Sequence, residues 1–87
     1  IQSASMLKAI GHPIRVQIII ALSQKNKMTV TELSKHLSVD QPIMSLHLGV
    51  LRKNDVIKVK KDGKQSEYSI SDISVQQIIS IARHSRP

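Results

Sequence analysis

The sequence predicts a mainly α-helical domain with one small β-hairpin, and three observations predict it. Apolar residues recur at helical spacing in separated stretches, as in Met6, Leu7 and Ile10 or Met44, Leu48 and Leu51. Capping residues or prolines stand where those stretches begin: Pro13, Thr29, Asp40 and Ser71. One Asp62-Gly63 dipeptide separates two short segments of alternating polarity, the mark of a tight hairpin. With 87 residues and no internal repeat, low-complexity tract or linker, the chain reads as a single domain over residues 1–87.

The elements follow in order. A short helix is expected over Ser3–Ile10, ended by Gly11. A second runs from Pro13, which suits a first turn because its missing N–H has no partner there, to about Gln24. Ile14, Ile18, Ala21 and Leu22 face inward; the run Ile18-Ile19-Ile20 is β-branched, but the spacing favours helix. After a polar loop over Gln24–Met28, Thr29 with Glu32 three residues on forms a capping box for a helix over Val30–Leu37. Ser38-Val39 makes a turn, and Asp40 caps a fourth helix that carries Pro42 in its first turn and ends near Lys53. Val56–Lys61 and Gln65–Ile70 are expected to pair around Asp62-Gly63, placing Lys61 opposite Lys64, Lys60 opposite Gln65, Lys58 opposite Glu67 and Ile57 opposite Tyr68. Ser71 caps a last helix from about Asp72 to His84, striped by Val75, Ile78, Ile79 and Ala82.

Composition narrows function. A chain this short buries only about 60–65% of its unfolded surface. Without cysteine it has neither disulfides nor thiolate metal ligands, so oligomerisation is the remaining source of extra burial. Tyr68 is the only aromatic residue, too few for single-strand binding by base stacking. Net charge is +7, from 13 Lys and Arg against 6 Asp and Glu. Between Arg52 and Lys64 six basic residues face only Asp55 and Asp62, which points to a polyanionic partner. No apolar run approaches the ~20 residues that span a bilayer, and no signal peptide is visible. Nothing suggests an enzyme: there is no Gly-rich phosphate loop, nucleophile elbow or His-Glu-x-x-His, and the acidic residues are scattered.

The fourth helix carries the most information. Its spacing turns Met44, His47, Leu48 and Leu51 inward and Gln41, Pro42, Ser45, Leu46, Gly49 and Arg52 outward. Laid in a major groove, that outer face offers Gln41 for bidentate contact with adenine, Ser45 for an adaptable hydrogen bond, and Pro42 and Leu46 for thymine methyls. Gly49 lets the helix approach closely, and Arg52, at the far end, suits a phosphate. The hairpin that follows supplies Lys58, Lys60, Lys61, Lys64 and Gln65.

These motifs resemble the ArsR/SmtB winged-helix repressors. Leu7 to Ile19, with Gly11-His12-Pro13-Ile14-Arg15, is similar to the family's opening motif. Ser45-Leu46-His47-Leu48-Gly49-Val50-Leu51-Arg52 matches its recognition-helix signature, and Lys60-Lys61-Asp62-Gly63-Lys64 followed by Tyr68-Ser69-Ile70 matches its wing. The resemblance spans roughly Met6 to Asp72. It implies a winged helix-turn-helix fold, with the helix-turn-helix over about 29–53 and the wing over about 56–70. It also implies a cytoplasmic bacterial homodimer that binds double-stranded DNA at an inverted repeat, with no membrane role. The terminal helices, about 3–10 and 72–84, would form the dimer interface through Met6, Leu7, Ile10, Val75, Ile78, Ile79 and Ala82.

The family's metal ligands are not matched. The Val30–His36 helix has no thiol; on the last helix Asp72 fits, but Ser74 stands where a His is needed and His84 is one residue out of place. No metal site and no cofactor are therefore expected, and the effector stays open. His47 reads as a packed histidine. The rival function is a winged helix that binds another protein, to which exposed Pro42 and Leu46 are suited.

Overall fold

The computed structural model describes residues 2–71. In chain order these form α1 (Gln2–Ile10), α2 (Pro13–Lys25), β1 (Met28–Thr29), α3 (Val30–Leu37), α4 (Gln41–Lys53), β2 (Ile57–Asp62) and β3 (Gln65–Ile70). The expected last helix, with Val75, Ile78, Ile79 and Ala82, lies outside the described residues.

Local chemistry accounts for the helix ends. Thr29 and Glu32 make the reciprocal capping box of α3: the Glu32 amide donates to Thr29 Oγ1 at 3.1 Å and the Thr29 amide to Glu32 Oε1 at 2.8 Å. Ser38 takes the left-handed conformation at φ 55° and ends α3, while the Val39 amide donates back to the Ser34 carbonyl at 3.0 Å. Asp40 occupies the cap position of α4, but, contrary to expectation, its side chain makes no capping hydrogen bond. Pro42 stands second in that helix and lacks one of the two N–H groups that such a cap uses. At α2 the cap is His12, whose Nδ1 accepts from the Ile14 amide at 3.1 Å.

The sheet has three strands, in the order β1-β3-β2, where the sequence suggested two. Met28 pairs with Tyr68 and Thr29 with Glu67, so Thr29 serves both as the end of a strand and as a helix cap. The hairpin register also differs from expectation. Asp62 faces Gln65, Lys61 faces Ser66, Lys60 faces Glu67, Lys58 faces Ser69, Val59 faces Tyr68 and Ile57 faces Ile70. The central turn residues are Gly63 and Lys64, with Gly63 at φ +65° in the first position, where a type II′ turn favours glycine. The reason is electrostatic as well as conformational. This register separates Lys61 from Lys64, while Lys60 takes the place of Lys58 opposite Glu67. Because partners shift by two residues, each side chain keeps its face.

The core gathers Ile18, Ile19, Ala21 and Leu22 of α2 with Leu33 of α3, Met44, Leu48 and Leu51 of α4, and Val56 and Ile57. Each large aliphatic side chain fully buried here contributes about 1.5–3 kcal/mol. Ile14, expected inward, is only half-buried, and Ile19 takes a core place instead. Tertiary burial thereby holds three consecutive β-branched residues in a helix. After β3 the chain is tied down by Ser71, whose amide donates to the Val56 carbonyl and whose hydroxyl donates to that of Asp55.

Candidate nucleic-acid interface

Packing one side of α4 into the core fixes what the other side presents. Met44, Leu48 and Leu51 are buried, and Gln41, Pro42, Ser45, Leu46, Gly49 and Arg52 are all exposed. Leu46 keeps 67% of its surface open and Ile43 keeps 46%. Ile43 stands between the two faces that helical spacing defines and was assigned to neither. A Cβ built on Gly49 meets nothing within 4 Å, so nothing in the chain itself requires glycine there.

Besides the core packing, two side-chain contacts among the described residues tie α4 to its neighbours. At its first residue, Gln41 Nε2 donates to Thr31 Oγ1 in the first turn of α3 at 2.9 Å. Midway, the ring of His47 packs on that of His12, with centroids 4.5 Å apart and planes tilted by 43°. His47 is half-buried, and its pKa lies below the usual histidine value because burial disfavours the charged ring and because His12 and Arg15 add positive charge nearby. Neither Thr31 nor the histidine pair is visible in the sequence pattern, since each contact joins separate helices. Among the described residues no three His, Cys, Asp or Glu side chains come together as a metal site would need.

The wing divides its basic residues. Lys58, Lys60 and Gln65 share one face with Asp62, Glu67 and Ser69. Lys61 projects with Ser66 on the other face, and Lys64 occupies the turn. On the first face a cleft of about 380 Å³ is lined by Lys27, Lys58, Lys60, Asp62, Glu67 and Ser69. Lys27, a cation outside the expected set, pairs with Glu67 at 3.6 Å. A second groove, of about 580 Å³, runs between residues 29–32 at the start of α3 and residues 64–68 of the wing. Thr31 lines that groove together with Lys64 and Gln65, and it also holds Gln41. Lys58 and Lys60 line the other cleft, and Arg52 lies about 16 Å along α4 from Gln41.

On α1, Leu7 is 54% exposed, whereas Ile10 is 8% exposed and belongs to the subunit's own core. No helix among the described residues is long and apolar enough to cross a membrane.

A short capped helix, a left-handed turn, a second helix with a solvent-facing side and a basic hairpin in a three-stranded sheet define a winged helix-turn-helix DNA-binding domain. Residues 12–59 match the bacterial regulatory proteins of the arsR family, and the chain belongs to that family. It is 34% identical over 80 residues to an uncharacterised HTH-type transcriptional regulator of Methanocaldococcus jannaschii, covering 92% of this chain and 90% of that protein. Among solved structures it is similar to PagR, a transcriptional repressor of Bacillus anthracis, at 31% identity and a TM-score of 0.87 over 93% of this chain and 92% of that one. It is also similar to HlyU of Vibrio cholerae, named a transcriptional activator, at 29% identity and a TM-score of 0.87 over 95% and 89% of the two chains.

Proposed function

We propose that the chain is a cytoplasmic, sequence-specific regulator of transcription that binds double-stranded DNA as a homodimer at an inverted repeat and acts there as a repressor. The observation that carries the reading is the outer face of α4: Gln41, Pro42, Ser45, Leu46 and Arg52 are all open while the opposite side is locked in the core. In this reading Gln41 meets adenine, Ser45 makes a second polar contact and Pro42 and Leu46 touch thymine methyls. Arg52 and the wing residues Lys58, Lys60, Lys61, Lys64 and Gln65 hold phosphates and fix the register. Residues 1–87 act as one DNA-binding unit. Its twofold contact is built from α1, through Met6 and Leu7, and from the 72–84 segment, through Val75, Ile78, Ile79 and Ala82; Ile10 packs in the subunit's own core instead. Leu7 is the exposed apolar residue on α1 that supports this contact. Two copies so related would read half-sites about one helical turn, roughly 10–10.5 bp, apart.

Selection from a pool of random duplexes tests the proposal. The expected product is a palindrome. A pool that stays unenriched, or yields only a single asymmetric site, counts against it. The exposed Ile43 and Leu46 favour a second reading, in which α4 docks on another protein. Indifference to heparin and to random duplex at low salt would point to that reading.

A further inference from the structure

We infer that Thr31 is a positioning residue for base recognition: its hydroxyl tethers the Gln41 amide in one place at the start of α4. The inference rests on Gln41 being a base-reading residue. The observation is the 2.9 Å hydrogen bond from Gln41 Nε2 to Thr31 Oγ1, ten residues away and on the other helix of the motif.

A free glutamine side chain samples many rotamers, and fixing one of them has an entropic cost on binding. In this chain Nε2 donates to Thr31 and keeps a second hydrogen, so the tethered amide still carries a donor and, at Oε1, an acceptor for a base edge. Both ends of the tether are rigid. Thr31 lies in the first turn of α3, which the Thr29–Glu32 capping box fixes. Gln41 opens α4 immediately before Pro42, and the intervening turn is closed by the bond from Val39 to Ser34. Gln41 and Thr31 are both exposed, so the pair faces solvent and its bond is not a core contact. Fixing a flexible side chain in its bound orientation before binding raises selectivity without adding any contact to DNA.

The test compares wild type with Thr31→Val, Thr31→Ser, Gln41→Ala and the double variant Thr31→Val/Gln41→Ala. Each is put through selection from a random duplex pool, followed by titration on the selected site and on single-base variants of it. Gln41→Ala identifies the base pair that Gln41 reads. At that pair Thr31→Val is expected to lower discrimination roughly fivefold, the worth of one side-chain hydrogen bond, and to leave the other positions unchanged. Thr31→Ser keeps the hydroxyl and restores discrimination. In the Gln41→Ala background Thr31→Val has no further effect on selectivity. If Thr31→Val weakens every sequence alike, its hydroxyl serves the phosphate backbone and the inference is overturned. If Gln41→Ala alters no base preference, the base-reading role fails and the inference fails with it. Thermal unfolding of each variant, expected to stay cooperative at an unchanged midpoint, separates loss of recognition from loss of fold.

Discussion

At the scale of single residues, His47 shows how the fold gives a common side chain an uncommon constraint. It sits on α4 with its ring against His12, and Arg15 adds positive charge nearby. His12 Nδ1 also accepts the Ile14 amide that caps α2. The His47 pKa is depressed in the folded chain and near 6.5 when unfolded. Its contribution to stability is therefore complete above pH 6.5 and is lost as pH falls from there toward the lowered folded value, because the unfolded chain takes up the proton first. Urea midpoints at pH 7.5 and 5.5 should show the wild type weakened at the lower pH. His47→Gln, which cannot ionise, should narrow that difference, and an equal difference in both proteins would refute the assignment. Glu32 follows the same rule in a lower window. Its pKa falls below 4.5 chiefly through the Thr29 amide and then the Thr29 hydroxyl, so the α3 cap weakens only in stronger acid.

At the scale of elements, the hairpin gives the sharpest contrast between residues that bind by charge and those that bind by pattern. Lys64 stands at the turn beside the groove that Thr31 borders, with no acidic partner across the strands. Lys60 faces Glu67, which is also paired with Lys27. Lys64→Ala should therefore reduce the slope of log affinity against log salt by about one unit, equally on all sequences. Lys60→Ala should reduce it less, since part of that charge is already offset. Binding measured at several salt concentrations on selected and random duplexes checks both. The hairpin also marks the limit of what the sequence disclosed. The α3 and α4 boundaries were legible because caps, proline and helical spacing are local signals. The two faces of α4 followed from the same spacing. Register was not legible, because an Asp-Gly pair fits more than one hairpin turn and cross-strand charge decides between them. Strand β1 has only two residues, too few to show alternation. The Gln41–Thr31 and His12–His47 contacts depend on how helices cross, which no single-helix pattern records.

At the scale of the whole molecule, a small aliphatic core supports a surface whose proposed DNA-contacting parts lie on three different elements: the first turn of α3, the outer face of α4 and the turn between β2 and β3. The core fixes their mutual placement, and the twofold assembly proposed above would double it. Stability and recognition make opposing demands on this scaffold, and they meet at Gly49. Glycine in a helix interior costs about 1 kcal/mol relative to alanine, and a methyl group there would touch no atom of the chain. Gly49→Ala should accordingly raise the melting temperature by roughly 4–8 °C while weakening duplex binding, as melting curves and gel shifts on the same preparation would reveal. A rise in both would mean that the helix stands further from its target than proposed. On the proposed reading, the bare backbone at that position would act as a thumb-notch in the reading rod: the free protein would carry a softer helix so that the bound one could seat more deeply.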